Sequence, residues 1–544
     1  MKKFKLFLGM AALACVIGLT VKYGSTYRPV VEPVREIEEI WALEDEREES
    51  EEPLVTRLFC NGVPLVYDEE NNVFYCSLGL ENGSQWPEIR MTASDGREAE
   101  GLSLCFADDY SFDDCDAAIR DGYSYQIFAY TDTAFSYAEV IFTGLPLVSV
   151  TTEQEVERED VPAQIEIGLA AEGLQTRGRI HKRGGASMLN DKVGYKLEFT
   201  RTADGRKKVA QDIPGMGTDS QVILLPMNAL DTTMMRDRLS WALYDKLTQR
   251  DEPFSARKTQ YCELFLNGEY RGVYLMLEPF SVRQEVAKAG EERLATDSVY
   301  RTAVISLSHD RACVEDPYSA ATGFELYYQM GGEPDFSPLE DYFALLGEED
   351  DAAFMRRAAQ SIDLDNALRY DVLLQLFGLT DNVINNMYTW AMDEQGRRRY
   401  RFDFWDLDVS WGLKRDEIGE MHENWVFFPL VDRLLRADEE GGVRRRYSEI
   451  YREVREKAFD TETVEALTTQ YAHELNDSGA MTRNADRWET ENYAADGYEL
   501  VAFAAERIAL LDEPVRAMGA GEDIDLSFLE KTNYDDKGTP LTEE

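Results

Sequence analysis

The chain has 544 residues, and at roughly 100–200 residues per domain this length suggests about two to four domains. The 57 Lys and Arg residues against 104 Asp and Glu residues give a formal net charge of −47, which argues against nucleic acid or an anionic membrane surface as a main partner. Hydrophobic residues make up 44% of the chain, as in ordinary globular proteins, so the acidity belongs to a folded surface whose natural complement is basic.

Residues 1–22 have the pattern of an export signal or a membrane anchor. Three lysines within the first five residues precede an uncharged, mostly apolar run from Leu6 to Val21. This run is shorter than the roughly 20 residues of a relaxed spanning helix, so a cleaved signal and an uncleaved anchor both remain open. Lipidation of Cys15 is a third alternative. In each case we expect the bulk of the protein outside the cytoplasm, secreted or anchored at the cell surface, with only the N-terminus in contact with the membrane.

An acidic segment follows this run. Ten of the seventeen residues from Glu36 to Glu52 are acidic, and their mutual repulsion favours an extended, solvated chain. We therefore interpret residues 23–53 as an acidic linker, or stalk, ahead of the folded part of the protein.

Residues 54–148 have the pattern of an all-β, sandwich-like module. Short apolar runs alternate there with Asn-Gly, Asp-Gly and Asn-Asn turns, at a spacing typical of a β-sandwich. The runs cover residues 63–67, 73–76, 125–130 and 138–142. Because no catalytic constellation lies among them, we interpret this part as a spacer or an adhesive module.

Four of the seven cysteines lie in this module, namely Cys60, Cys76, Cys105 and Cys115. Outside the cytoplasm they could form disulfides, but four cysteines allow three pairings that the sequence does not separate, and buried thiols explain them equally well. No Cys-x-x-Cys pair and no neighbouring histidine supports a zinc site.

Residues 149–520 predict an α+β domain. Strand-like runs surround one helix, from Met234 to Thr248, in the first part of this region. After about Leu339 most segments are helical, including residues 364–379, 443–459 and 500–518. The pattern indicates a β-rich lobe followed by a helical lobe, and residues 521–544 form an acidic C-terminal tail.

A small-residue turn near the start of this domain is a candidate phosphate-binding loop. It consists of Arg183, Gly184, Gly185, Ala186 and Ser187, and it is followed by Lys192 and by the strand-like run of residues 195–199. Backbone N–H groups in such a turn can approach phosphate oxygens, and a lysine on the next strand can reach the same phosphates. An ordinary hairpin with an exposed lysine explains the turn as well.

A second feature is the run of residues 261–278, in which two alternating segments flank Asn267-Gly268. This pattern predicts a β-hairpin. Glu278, at the exit of the second strand, either lines a cleft or lies on the surface.

The third feature combines acidic and amide side chains. Asp381 is followed five residues later by Asn386, and Asp406 and Asp408 come about twenty residues further on. The first aspartate is a candidate base for a hydroxyl group, and the other side chains offer oxygen atoms of the kind that Mg²⁺ prefers. If Asp406 and Asp408 lie on a strand, they point to the same face. A solvated acidic strand end is the alternative.

Together these features resemble the CotH kinase family, named for spore-coat protein H, an atypical group of protein-kinase-like proteins. The matching pieces follow the family's order over residues 147–518: the glycine turn with Lys192, the segment 228–236, the hairpin up to Glu278, the loop 381–386, and the segment 405–408. The resemblance implies an atypical protein-kinase-like two-lobed domain behind the signal or anchor and the β module.

The resemblance also implies an activity, which is transfer of the γ-phosphate of ATP to Ser or Thr hydroxyls of a protein, dependent on Mg²⁺ or Mn²⁺. In this chain Asp381 would orient or deprotonate the acceptor hydroxyl, Asn386, Asp406 and Asp408 would bind the metal, and Lys196 would hold phosphates. The nucleotide-binding residues implied are Arg183, Gly184, Gly185, Ser187, Lys192, Arg236 and Glu278. Given the acidic surface, we expect a Lys- and Arg-rich acceptor.

The sequence departs from the family at two points. A single lysine, Lys192, precedes Tyr195 where the family often has two, and Gly185-Ala186 replaces the usual Asn-Ser. The alternative function is therefore a catalytically inactive, kinase-like surface scaffold or adhesion protein. A glycoside hydrolase is disfavoured because its two carboxylates normally come from separate elements, whereas Asp406 and Asp408 are two residues apart.

Overall fold

The computed structural model describes residues 29–79, 90–93, 101–107, 119–120, 122–169, 172–202, 207–227, 231–248, 255–282, 285, 298–303, 324–329, 332–394, 396–413, 425–426, 428–522 and 526. The predicted signal or anchor, residues 1–22, lies outside the described residues. The predicted acidic tail, residues 521–544, also lies outside them apart from residues 521, 522 and 526. Within the described ranges, no helix combines the length and the apolar character that crossing a membrane requires. The chain is a mixed α+β protein, as predicted.

In the residues that the structure describes, the first part of the fold contains ten named strands and one named helix. The strands are β1 (Val31–Arg35), β2 (Glu48–Glu49), β3 (Leu58–Cys60), β4 (Val63–Pro64), β5 (Val66–Asp68), β6 (Val73–Ser77), β7 (Met91–Ala93), β8 (Ser103–Ala107), β9 (Ser124–Tyr130) and β10 (Ala134–Thr143), and the helix is α1 (Ile37–Glu44). One sheet has the order β1-β8-β9-β10-β6-β5, with β2 on β10, and the other has the order β4-β3-β7. Both sheets contribute to one core, in which Leu58 and Met91 pack with Phe74 and Ile127.

Residues 23–53 were predicted to form an extended acidic linker, and this prediction was wrong for the described residues from 29 onward. Residues 31–35 pair with β8, α1 lies on the sheet, and Glu48 and Glu49 pair with β10. Ile40 of α1 is fully buried in a cluster with Phe128 and Phe135, whereas Glu38 and Glu39 are exposed and Glu44 accepts a hydrogen bond from Tyr137 at 2.7 Å. The buried Ile40 anchors the helix on the sheet, and the exposed Glu38 and Glu39 remain solvated. Repulsion between the acidic side chains therefore does not keep the segment extended.

A closed barrel follows the β module. Its region contains the strands β11 (Leu147–Thr151), β12 (Val161–Leu169), β13 (Glu172–Arg183), β14 (Gly194–Phe199), β15 (Gln211–Ile213), β16 (Gly217–Asp219), β17 (Gln221–Leu225), β18 (Thr259–Leu266) and β19 (Glu269–Leu277), and the helix α2 (Arg236–Asp245). The barrel order is β11-β12-β13-β14-β17-β19-β18, and β15 pairs only with β16 among the strands described. Every second residue along a barrel strand points inward, and Leu197 of β14 and Leu224 of β17 are among the side chains that fill the interior. The predicted hairpin is present, and both Asn267 and Gly268 have the positive φ values of a type I′ turn.

The remaining part is mainly helical and has one small sheet. Its helices are α3 (Ser337–Leu346), α4 (Asp351–Ser361), α5 (Leu364–Phe377), α6 (Asp381–Ile384), α7 (Pro429–Arg436), α8 (Gly442–Lys457), α9 (Thr461–Asp477), α10 (Ala480–Trp488) and α11 (Tyr498–Ala520). The sheet has the order β21-β20-β22-β23, formed by β20 (Ser298–Ala303), β21 (Phe324–Tyr328), β22 (Asn385–Glu394) and β23 (Arg397–Phe404). The three helices predicted after residue 339 correspond to α5, α8 and α11, with ends within two residues of the prediction.

A buried ion pair joins the three parts of the molecule. The Glu263 carboxylate on β18 accepts hydrogen bonds from Arg483 of α10 at 2.9 Å, from Thr143 of β10 at 2.5 Å and from Tyr270 of β19 at 2.7 Å. Glu263 has no exposed surface. The β module is therefore attached to the barrel and to the helical part through a specific polar contact.

Candidate functional site

The candidate site lies where the end of β13, the strand β20, the start of α2 and the loop after β23 approach one another. The Arg183 guanidinium lies over the ring of Trp405, 5.5 Å from its centre. Burial raises the pKa of the Asp406 carboxyl, while the positive charges of Arg183 and Arg301 act to lower it. The barrel therefore supplies positive charge next to the predicted metal ligands.

The segment that carries Asp406 and Asp408 is a loop. β23 ends at Phe404, and Asp406 has a left-handed backbone with φ of +56°. The prediction of a common strand face was wrong, because period-two alternation does not apply to this backbone. The loop is instead fixed by side chains that bind its peptide groups, since Asn382 donates to the Trp405 carbonyl at 2.7 Å and Leu407 N–H donates to Asp237 at 3.0 Å.

Asp237 is a third carboxylate at this site, and the sequence reasoning missed it. It lies in the first turn of α2 and is only 5% exposed. Burial raises its pKa well above the ordinary range, and the neighbouring charges of Asp408 and Asp406 raise it further. Its position directly after Arg236, the last residue of a segment matched to the family, was the signal that could have revealed it.

Asp381 and Asn386, which the sequence pairs by spacing, are in direct contact. The Asn386 amide donates to Asp381 Oδ2 at 2.9 Å, and the Asn385 amide donates to the same oxygen at 3.3 Å. Asp381 begins the short helix α6 and is 5% exposed. Asn386 has a left-handed φ of +54°, which asparagine tolerates better than most residues, and this turn directs its amide towards Asp381.

The two candidate phosphate lysines have different environments. Lys196 lies on the outer face of β14, where burial lowers its pKa and the nearby cations Lys208 and Arg183 lower it further. In contrast, Lys192 Nζ donates to the Val273 carbonyl at 2.5 Å and to Asn484 at 3.0 Å. Burial lowers the pKa of Lys192 to about 7. Lys192 thus connects the barrel to α10.

Arg183 and Lys196 share a further property. Within the described ranges of the chain, neither side chain forms an ion pair or a side-chain hydrogen bond. Most other buried or half-buried cations of the barrel have such a partner, as Lys182 does in Glu157 at 2.7 Å. Two cations without a protein acceptor are suited to bind an anionic ligand.

The glycine turn has the geometry that its composition predicts. Gly184 has φ of +133°, and a Cβ atom there would collide with Ser187 Oγ. Gly185 faces open space and precedes a 3₁₀ turn over Ala186–Leu189. Only glycine fits at the first position, and the second leaves the backbone accessible.

Arg236 and Glu278 both form hydrogen bonds to backbone groups near the site. The buried Arg236 guanidinium binds Asp231, donates to the Ser410 carbonyl at 3.1 Å and donates to Glu499 at 2.6 Å. It thereby holds the end of the loop that contains Asp408. Glu278 accepts a hydrogen bond from Lys258 N–H at 3.0 Å at the exit of β19.

The oxygen donors present fit a divalent ion in type, because Asp406, Asp408 and Asn386 offer carboxylate and amide oxygens. Among the residues that the structure describes, however, no three His, Cys, Asp or Glu side chains are arranged to hold a metal ion by themselves. A magnesium site here would thus depend on ligand phosphates and water to complete its coordination, as Mg²⁺ sites usually do.

Comparison with known proteins agrees with the resemblance found in the sequence. A family model described as CotH kinase protein matches residues 180–511, which is more than half of the chain. No curated protein matches the sequence. The matched range begins in β13, ends in α11, and includes every residue of the candidate site. The chain therefore belongs to the CotH kinase family.

Proposed function

We propose that this protein is an ATP-dependent, atypical protein kinase that phosphorylates Ser or Thr hydroxyls of a protein acceptor. Family membership supports a kinase-type enzyme. The observation that carries the finer proposal is the position of two cations: Arg183 lies beside the carboxylate loop around Asp406, and Lys196 lies near Arg183. Among the residues that the structure describes, neither cation has a carboxylate or side-chain hydrogen-bond partner. Phosphoryl transfer requires positioning and charge neutralisation more than a covalent nucleophile, and this arrangement offers both.

The nucleotide phosphates bind between the barrel and the carboxylate loop. Arg183 and Lys196 bind phosphate oxygens, and the backbone at Gly185 approaches them because no side chain covers it. Arg301 adds positive charge from β20, although it is also paired with Glu325 at 2.9 Å. A bound Mg²⁺ or Mn²⁺ supplies charge neutralisation for the phosphates, and Asn386, Asp406 and Asp408 are the residues that would hold it.

Asp381 acts on the acceptor hydroxyl. Its carboxylate accepts a hydrogen bond from Asn386, which fixes its orientation next to the metal-binding amide. A carboxylate held in this way can accept the hydroxyl proton as the bond to phosphorus forms. Asp237 positions the loop through the Leu407 N–H group and does not need to contact the nucleotide.

The proposal extends to the acceptor and to the location, and it is supported there by charge and by the N-terminal sequence. We propose a Lys- and Arg-rich acceptor segment, because a formal charge of −47 favours basic partners, and association should weaken as salt rises. The basic start and apolar run of residues 1–22 support a protein that acts outside the cytoplasm, secreted or anchored at the cell surface.

The test is transfer of labelled phosphate from ATP by the purified full-length protein, with Mg²⁺ or Mn²⁺, to itself and to a basic, Ser-rich peptide. Asp381→Asn and Asp406→Asn should abolish transfer, while Asp486→Asn, at an exposed carboxylate on α10, should not. Metal-dependent ATP binding without transfer by the wild type would instead support the inactive, kinase-like scaffold. Absence of both binding and transfer would refute the proposal.

A further inference from the structure

Two buried cysteines of the β module face each other from opposite sheets. Cys60 ends β3 in the three-stranded sheet, and Cys76 lies in β6 of the larger sheet. They are 1% and 3% exposed and belong to the same core cluster. Their strands are not paired with each other, so the side chains meet across the core.

The two thiols are in contact. A hydrogen bond between the Cys60 and Cys76 side chains lowers the pKa of Cys60, while burial opposes this effect. A thiol with a lowered pKa is more often the attacking nucleophile in thiol–disulfide exchange. The contact therefore supplies both the neighbouring sulfur atom and a suitable attacking thiol.

The other two cysteines that the structure describes are placed differently. Cys105 packs with Ile40 and Phe128 in a separate cluster, where burial raises its pKa to about 11. Cys262 lies in the barrel core, and burial raises its pKa as well. Neither shares a core cluster with Cys60 or Cys76, so among the cysteines that the structure describes Cys60 and Cys76 are the pair in contact.

A cavity gives small molecules a route to the pair. Its volume is about 340 Å³, and it lies between the β module and the barrel. Both Cys60 and Cys76 line it, together with Leu147, Ile167 and Leu174 of the barrel. The two cysteines are thus almost fully buried, yet they border a cavity whose volume is large enough for a small molecule.

We propose that Cys60 and Cys76 form a disulfide that joins the two sheets when the protein meets an oxidant of the disulfide class, either a small-molecule disulfide or a disulfide-bonded oxidoreductase. The Cys60 thiolate attacks one donor sulfur and releases the other half of the donor as a thiolate. The Cys76 thiolate then attacks Cys60 Sγ and releases the second half. The two cysteines lose two electrons and two protons, and the donor disulfide is reduced to two thiols.

The bond would close the chain segment that contains β4 and β5, which line the cavity. Closing this loop restricts the unfolded chain, so the oxidised protein should be more stable than the reduced protein. The inference concerns the β module and does not depend on the proposed kinase activity.

The test uses the reduced full-length protein, freed of reductant and incubated with oxidised glutathione. We expect a peptide linked through Cys60 and Cys76 in a non-reducing digest, a mass lower by two hydrogen atoms, and a rise in Tm of several degrees that dithiothreitol reverses. Cys60→Ala and Cys76→Ala should remove the linked peptide and the redox dependence of Tm, and Cys105→Ala should retain both.

The digest of the wild type decides the question even if a variant fails to fold. The proposal is wrong if Cys60 and Cys76 remain open to alkylation in unfolding buffer after oxidation. It is also wrong if either forms its disulfide with another cysteine, such as Cys115, which lies outside the described residues.

Discussion

Two clusters of buried charge differ in how their charges are compensated. At the junction of the three parts, the Glu263 carboxylate receives four hydrogen bonds, two of them from the opposite charge of Arg483. At the candidate site, Asp237, Asp406 and Asp408 crowd together, and their mutual repulsion adds to burial in raising the pKa of Asp237.

This difference indicates that the cluster around Glu263 has a structural role and that the cluster around Asp406 has a functional one. A buried carboxylate whose two oxygens both have protein donors needs no ligand to compensate its charge, and it helps to hold the fold together. A group of like charges that face one another is costly unless a cation joins them, so such a group is a candidate functional site. We therefore expect substitutions in the first cluster to lower stability and substitutions in the second to lower activity.

The largest effect is expected at the reacting carboxylate. Asp381→Asn should lower kcat for phosphate transfer roughly 100- to 10,000-fold, because the amide cannot accept the hydroxyl proton. The variant keeps an oxygen for the hydrogen bond from Asn386, so Tm should change little. Initial rates with labelled ATP measure the effect, and transfer within a factor of two of the wild type would exclude the assigned role.

Breaking the junction should affect stability instead. Glu263→Ala should lower the free energy of unfolding by about 3–5 kcal/mol, because it leaves the Arg483 charge buried without its partner. Urea denaturation measures this change. The matched control is Glu269→Ala on the same hairpin, whose partly exposed pairs with Arg271 and Arg487 should contribute less than about 1 kcal/mol. Equal losses in the two variants would contradict the comparison.

Substitution of Lys196 should affect ATP binding, whereas substitution of Lys192 should affect stability. Lys196→Met should weaken ATP binding roughly 10- to 100-fold, because a charge-assisted hydrogen bond to phosphate is lost. Lys192→Met should lower Tm instead, because it removes the bonds to Val273 and Asn484. Calorimetric titration and thermal unfolding of both variants test this. A larger loss of ATP affinity in the Lys192 variant would reverse the assignment.

No effect on phosphate transfer is expected at a third buried carboxylate, which tests whether burial alone marks a functional site. Burial raises the pKa of Asp371 on α5 to about 7, and its carboxyl bonds to Tyr447 and Gln375. Because the folded state holds this proton more tightly, its stabilising contribution is complete at low pH and is lost as pH rises from about 4 to about 7. Each pH unit in this window corresponds to at most about 1.4 kcal/mol.

Asp371→Asn should therefore flatten the pH dependence of unfolding between pH 4 and pH 7 and leave phosphate transfer intact. Urea denaturation across this range gives the slope for both proteins. If the variant loses transfer, buried carboxylates of the helical part outside the candidate site also take part in function. That result would contradict the assignment of function to the cluster around Asp406.

Local signals predicted much of the fold. The hairpin at Asn267-Gly268 follows from two residues that adopt positive φ, and helix α5 follows from the capping carboxylate of Asp363 and the left-handed Gly378. The contact between Asp381 and Asn386 also needs only a short loop. Each of these features depends on residues that are close in the chain.

The missed features depend on distant residues. Helix α1 folds because Ile40 meets Phe128, and Arg301 reaches the site because β20 pairs with β22. The strand predicted for Asp406 ends early because Asn382 and Asp237 bind the peptide groups of the following loop. Neither periodicity nor charge along one segment contains this information.

The central claim is that the carboxylates Asp406 and Asp408 and the cations Arg183 and Lys196 form one nucleotide and metal site. The most direct test is the Tm of the full-length protein with ATP alone, with Mg²⁺ alone and with both. We predict that ATP and Mg²⁺ together raise Tm well beyond the sum of their separate effects, and that the Asp406→Asn/Asp408→Asn variant loses this rise. An equal response of wild type and variant, or no response of the wild type to both ligands, would contradict the account.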